Sequence, residues 1–316
     1  MIYVKDAQSG APLYDALNSS VRINILKLLR ECKEANMNQL ARSLGLSNGA
    51  VTGHVKKLQD AGLIEVLSRS GVRGSQKICK LTTDKVIIDL FGTESGRKNI
   101  YIFDIGIGHY IDYKISPTCG IVTGETMIGE FDDPRYFSFP NRIDAALLWF
   151  AQGYISYQLP NSLNINECCD ELQISMELAS EAPGYLTNYP SDIGFRLNNT
   201  YLGYFTSPGE FNDRNGIFTP SWWPEHLGQY GKLKLLTIND SGCFIDGLQI
   251  SDVTIDSLKI MPHKDLIFSI EVSPDALNKG GVNLFGKGFG DYDSGISVKM
   301  YYSIVQTGMT SQRGLD

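Results

Sequence analysis

Two sets of residues in this chain have types and spacing suited to recognition chemistry. The first lies between Ser47 and Lys77. If Val51, Val55 and Leu58 form the inward stripe of a helix capped by Ser47, a 3.6-residue period turns Gly49, Thr52, Gly53, Lys56 and Lys57 outward. No acidic side chain interrupts that face. The amide of Asn48 and the hydroxyl of Thr52 suit hydrogen bonds to base edges, and the two lysines suit phosphates. His54 falls on the flank, where a packed or hydrogen-bonded ring is the plainer reading. Glycine inside a helix costs about 1 kcal/mol relative to alanine. Gly49 and Gly53 therefore mark either a weak helix or one that must lie very close to DNA. Arg69, Arg73 and Lys77 follow on a hairpin as phosphate clamps, or as a solvated charged loop.

The second set sits in loops of the C-terminal two thirds. Glu181-Ala-Pro-Gly-Tyr185 leads to Tyr189-Pro-Ser-Asp192, and Pro220-Ser-Trp-Trp-Pro-Glu-His226 leads to Gln229 and Tyr230. Aromatic faces beside carboxylates and amides are what a sugar needs: a C–H face to stack and hydroxyls to hydrogen-bond. Trp222 and Trp223 are the stacking candidates, with Glu181, Tyr185, Asp192, Gln229 and Tyr230 as polar partners. The alternative is that the paired tryptophans roof the core. No P-loop, His-x-x-x-His pair or Gly-x-Ser-x-Gly elbow occurs. Carboxylates are plentiful, but spacing alone cannot set an acid and a nucleophile at working distance. No enzyme, cofactor or metal site is expected. Asp291 and Asp293 read as a turn before they read as calcium ligands.

The elements that must position the first set follow from periodicity. Val21, Ile25, Leu28, Leu29 and Cys32 recur at helical spacing after a Ser-Ser start. A short helix carries Leu40, Ala41 and Leu44 and stops at Gly45, and the Ser47 helix ends at Gly62. A strand from Leu63 to Leu67, a Gly-rich basic tip and a return strand from Gln76 to Leu81 close the unit. Helix, turn, helix and basic hairpin are how a chain sets a helix in the major groove and a loop over the flanking phosphates. Lys85 to Phe91 is apolar and reads as a strand or a short helix.

Leu40-Ala-Arg-Ser-Leu-Gly-Leu-Ser47, Val51-Thr-Gly-His-Val-Lys-Lys-Leu58 and Asp60-Ala-Gly-Leu-Ile64 together resemble the ArsR-type winged-helix repressors of bacteria, over roughly residues 15–82. The resemblance places Ser47, Asn48, Thr52, His54 and Lys56 in the recognition helix and Arg69 and Arg73 on the wing. Metal-sensing members carry a Cys-x-Cys pair; here Cys32 stands alone, so metal sensing by this domain is not implied.

Beyond residue 100 short strand-like runs alternate with Gly, Pro, Asn and Asp turns. They include 100–107, 110–115, 120–125, 155–158, 171–178, 193–197, 201–206, 231–238, 247–250, 266–272 and 296–304. Arg142 to Gln152 reads instead as a helix. The fold class is α+β multidomain: a winged helix-turn-helix over 1–92, a linker over 93–99 and a mainly antiparallel, jelly-roll-like β-sandwich over 100–316. A closed barrel and two small β-domains remain open. The winged helix followed by loops of this Trp-Trp-Pro kind resembles bacterial regulators with a carbohydrate-binding-like sandwich, which implies a sugar as effector.

The net charge of −7 conceals an asymmetry. Residues 1–100 hold 15 Lys and Arg against 9 Asp and Glu, whereas residues 101–316 hold 13 against 26. A basic module joined to an acidic body fits DNA contact by the first part only. Six cysteines without framework spacing, no apolar run of membrane length and no basic-then-apolar leader pattern suggest the cytoplasm. Cys168-Cys169 reads as two structural thiols or as a redox pair. The expectation is a homodimer on a double-stranded DNA operator, responding to a small-molecule effector such as a carbohydrate. The alternatives are a constitutive DNA-binding protein whose β-domain oligomerises or docks a protein, and a carbohydrate-active enzyme fused to a winged helix.

Overall fold

In the computed structural model, which describes residues 2–4, 9–70, 75–83, 86–88, 99–181, 186 and 188–304, four α-helices occur among the described residues, all before residue 61. They belong to the first of two units, 1–96 and 97–316. Its order is β1 (Ile2–Val4), α1 (Ala11–Leu17), α2 (Ser20–Cys32), β2 (Glu34–Asn36), α3 (Met37–Leu44), α4 (Asn48–Asp60), β3 (Ile64–Ser70), β4 (Ser75–Leu81) and β5 (Val86–Ile88). Ser19 caps α2, and a reciprocal Asn36–Gln39 capping box opens α3. Gly45 ends α3 at φ +64°, where its freedom from a Cβ is needed. Ile25, Leu29, Leu40, Val51, Val55 and Leu58 meet in one core. The hairpin β3–β4 extends through β4 to β2, in order β2-β4-β3. Within the apolar segment after the wing, Val86–Ile88 is a strand, paired parallel with β1.

Helix α1 and strands β1 and β2 carry too little pattern to be read in advance. Arg22 is the other departure. It lies on the inward side of α2, fully covered, while Cys32, placed on the apolar stripe by its spacing, is exposed. The Arg22 guanidinium donates to the carbonyls of Ala16 (2.6 Å), Asp15 and Asn18. Those carbonyls lie at the end of α1, where helical donors run out and only Asp15 also accepts the Asn18 N–H, so a buried cation there serves both hydrogen bonding and the helix dipole.

The second unit is an antiparallel β-architecture whose edges approach barrel closure. Its strands are β6 (Asn99–Ile105), β7 (Asp112–Val122), β8 (Leu147–Leu159), β9 (Glu167–Ala179), β10 (Ser191–Leu197) and β11 (Thr200–Ser207). There follow β12 (Lys232–Asn239), β13 (Gly242–Ile245), β14 (Leu248–Ser251), β15 (Leu266–Val272), β16 (Val282–Phe285) and β17 (Ile296–Ile304). One run is β11-β10-β15-β8-β7 and the other is β6-β17-β9-β12-β13-β14. The short strand β16 joins them, pairing with β8 at 147–150 and with β9 at 177–179. At the far edges Ser251 Oγ donates to the Leu202 carbonyl at 2.6 Å, bringing β14 to β11. Leu148, Phe150, Ile174, Met176, Phe195 and Phe268 fill the space between.

The helix expected over 142–152 is not formed. Residues Pro140–Asp144 make a short 3-10 turn, and β8 begins at Leu147. Leu147, Leu148, Trp149 and Phe150 are all buried, so this stretch is covered on both faces of the sheet. A continuous apolar run has the same appearance in a doubly covered strand and in a buried helix. Even-numbered residues enter the main core; Leu147 and Trp149 face a second cluster with Val122, Trp223, Phe285 and Phe289.

Arg22→Ala should leave the α1 carbonyls unmet and destabilise the first unit by about 1.5–3 kcal/mol. All described α-helices lie in that unit, so urea unfolding followed by circular dichroism at the helical band of the full chain reads the change. An unaltered midpoint would remove the structural role given to Arg22.

Candidate functional site

Ser47 accepts the Ala50 N–H at 3.3 Å and starts α4. With Val51, Val55 and Leu58 buried, Ser47, Asn48, Gly49, Thr52, Gly53, Lys56 and Lys57 are exposed and His54 is half-buried. The Asn48 amide donates to Asn38 Oδ1 at 2.8 Å, and Thr52 Oγ1 donates to the Asn48 carbonyl at 2.8 Å. Both are surface hydrogen bonds that a nucleic acid could exchange for its own. A Cβ built at Gly49 or Gly53 would meet nothing within 4 Å. No neighbour in this unit demands a glycine at either place.

Two of the candidate cations are already paired. Lys57 Nζ lies 2.9 Å from Asp15 Oδ2, and Arg69 grips both oxygens of Glu34 at 2.6 and 3.1 Å, with Lys80 joining at 3.5 Å. The Lys57 ammonium holds Asp15 below the usual carboxylate range, and Arg69 does the same for Glu34. Exposed pairs contribute only about 0–1 kcal/mol, so a phosphate can take the place of either carboxylate at small cost. Lys56 and Lys77 are exposed. Arg73 lies outside the described residues.

In the second unit the loop that follows β11 folds over the outer face of β8, β16 and β9. It leaves a cavity of about 190 Å³, lined by Thr118, Phe131, Asp132, Leu147, Trp149, Glu181, Glu210, Trp223, Leu227, Gly228 and Asn283. Trp149 and Trp223 form one corner, their centroids 5.9 Å apart at 62°, and Phe131 packs on Trp149 at 5.7 Å. The Trp223 indole N–H donates to the Gly228 carbonyl at 3.0 Å, which fixes its ring. Glu181 is 8% exposed and Glu210 6%. Thr118 Oγ1 donates to Glu181 Oε2 at 2.6 Å, and Asn283 Nδ2 donates to Glu210 Oε1 at 3.2 Å. Burial pushes Glu181 up to about 7, and burial with repulsion from Glu181 takes Glu210 to about 7. Nearby Glu177 is raised to about 8 by burial although Gly231, Asp291 and Tyr292 donate backbone N–H groups to it.

The winged helix-turn-helix DNA-binding family matches residues 19–65, from the cap of α2 into β3. An uncharacterized protein of Methanocaldococcus jannaschii is 38% identical over 66 residues, which are 21% of this chain and 71% of that protein. The chain belongs to the winged helix-turn-helix DNA-binding family. Among solved structures, a transcriptional regulator homologue from Pyrococcus horikoshii is 21% identical, covering 23% of this chain and 76% of its own, at a TM-score of 0.19. The carbohydrate recognition domain of Emp47p is 10% identical, covering 69% of this chain and 94% of its own, also at 0.19. At such scores neither likeness bears on what this chain binds.

In this winged helix-turn-helix protein the loop candidates of the second unit divide sharply. Glu181 and Trp223 line the cavity. Trp222 stands beside Trp223, edge to face at 5.7 Å, but is 39% exposed, lies off the cavity and donates to the Gly124 carbonyl. Three other candidates lie outside this lining, and their polar groups hold loops together. Asp192 accepts from Thr206 and twice from Asn278. The Gln229 amide donates to the carbonyls of Pro224 and Leu227 at 2.8 and 3.0 Å. Tyr230 bonds Asp213 and is sandwiched between Phe211 and Arg214. Tyr185 lies outside the described residues. The sequence reading missed Trp149, Glu210, Asn283, Thr118, Phe131 and Asp132. Trp149 was hidden by the helix assignment. Glu210 was legible only as an acid in a Pro-Gly turn, next to an aromatic residue.

Gly49→Ala and Gly53→Ala should each stabilise α4 by up to about 1 kcal/mol and weaken DNA binding. A variant that gains stability and binds DNA as before would deny these glycines any role in close approach. The second unit should respond to pH in the opposite sense to ordinary surface acids. Glu181 and Glu210 have folded values above their unfolded ones, so their contribution is full below about 4.5 and is lost as pH rises through about 7. The melting temperature read by tryptophan fluorescence should fall between those limits, and Glu181→Gln or Glu210→Gln should flatten the fall. A melting curve that climbs over that range would contradict the raised values of these two buried acids.

Proposed function

We propose that this protein is a cytoplasmic, homodimeric transcription regulator that binds a double-stranded DNA operator through α4 and the β3–β4 wing. The second unit holds a small polar effector, a carbohydrate or similar metabolite, in the cavity around Trp149, Trp223 and Glu181. The observation that carries the DNA-binding part is the exposed, acid-free face of α4 within a winged helix matched over 19–65. The motif order from Leu40 to Ile64 favours the ArsR type. The effector part rests on the cavity, since aromatic walls with a few convergent polar groups are the usual form of a small-molecule site.

Catalysis is not part of this reading. An effector changes DNA affinity only by as much as it prefers the DNA-competent arrangement over the other.

Selection of bound sequences from a random duplex library, followed by titrations against salt, tests the proposal. Lys56→Ala should weaken binding to every duplex and reduce the salt slope by about one unit. Thr52→Ala should change which sequence is preferred, by roughly 1–3 kcal/mol per lost base contact. No duplex binding above that of an unrelated acidic protein would sink the regulator. A metabolite panel scored by tryptophan fluorescence and melting temperature tests the effector, which must stabilise the folded state it binds.

A further inference from the structure

We infer that the cavity beside β8 takes a small organic cation, its ammonium group held between the Glu181 and Glu210 carboxylates and the faces of Trp149 and Trp223. This deepens, and rests on, the reading of the cavity as an effector site. Three carboxylates line it, from Asp132, Glu181 and Glu210, and among the described residues no Lys, Arg or His does. Several other covered acids in the second unit are matched by a cation, whereas Asp192 is held by the Thr206 hydroxyl and two N–H groups of Asn278. Asp291 is gripped by Arg214 at 2.8 Å, Glu271 by Arg196 at 2.7 Å and Asp246 by Lys234 at 3.1 Å. Glu177, which is deeper still, receives backbone N–H groups from three residues instead.

Glu181 and Glu210 have neither kind of support in full. Glu210 receives one side-chain amide and the Gly228 N–H. Glu181 Oε2 receives the Thr118 hydroxyl, and among the described residues no donor reaches Oε1, although the side chain is more than nine-tenths buried and lines the cavity. Two buried acids of like charge side by side are costly unless a positive charge comes between them. The walls add a second attraction for the same ligand. An ammonium group is drawn to indole faces, more strongly where water is excluded, and the ring plane of Trp149, in the cavity wall, is inclined at 62° to that of Trp223 and at 46° to that of Phe131. A neutral sugar would hydrogen-bond the carboxylates but leave their mutual repulsion in place.

The test uses the full chain and three cations, choline, ethanolamine and glucosamine, each against a neutral counterpart: dimethylbutanol for choline, ethylene glycol for ethanolamine and glucose for glucosamine. Binding is read by calorimetry and by fluorescence of the tryptophans. At least one cation should bind, about tenfold or more tighter than its counterpart. Glu181→Gln and Glu210→Gln, each verified as folded by its melting curve, should erase that preference. Equal binding of a cation and its neutral counterpart overturns the inference. Binding of glucose or another neutral metabolite while all three cations fail overturns it too, yet leaves the effector site standing. Silence across every compound removes both.

Discussion

The second unit depends on one strand that is apolar on both faces. Leu147 to Phe150 cannot be half-solvated, so β8 must be covered twice. Its even-numbered side chains are covered by the opposing strands of the sandwich, and its odd-numbered ones by the loop that carries Trp223 and Leu227. The branching of the sheet follows from the same strand. Because β7 occupies one edge of β8, the other edge is shared between β16 and β15, and β16 ties β8 to β9. The cavity is what remains where the second cover fits imperfectly over Trp149. Trp149 and Trp223 in its wall are therefore core residues first.

Charge is handled differently in the two units. In the first, acids sit on the surface and neutralise cations of the recognition helix and wing: Asp15 meets Lys57 and Glu34 meets Arg69. Such contacts are weak and exchangeable, and they keep a basic module from presenting its full field before a polyanion arrives. In the second, acids are drawn inside. Arg214–Asp291 and the N–H cradle around Glu177 show the fold satisfying such groups. The Glu181–Glu210 pair is held by fewer donors, Thr118 on one acid and Asn283 with the Gly228 N–H on the other.

The first unit was legible because its signals are local. Ser19, Ser47 and Gly45 mark helix ends within a turn of the residues they cap, and the buried faces of α3 and α4 follow the period that their apolar residues set. Arg22 escaped because a charged side chain at an inward position is legible only when its partners, three carbonyls of a seven-residue helix, are known. In the second unit strand existence was legible at most positions, since turn residues punctuate the chain. The site was not. Trp149 and Glu210 are 61 positions apart in sequence and meet only because β8 and the loop after β11 are stacked. Asp192, Gln229 and Tyr230 looked like ligand groups because a polar residue beside an aromatic one has the same composition whether it faces a ligand or ties a loop.

Two features remain that nothing among the described residues offsets. Gly49 and Gly53 weaken a helix at points where a methyl group would meet open space. Three carboxylates line a cavity to which the described residues bring no cation. Natural sequences are locally consistent where folding alone selects them, and they break that consistency where something else is served. In the helix the missing side chains leave backbone bare on the one face without acids, which is what a surface built to lie against phosphates and base edges requires. In the cavity the missing charge is positive. Under the proposed reading the two exceptions serve different visitors, a polyanion at one unit and a cation at the other.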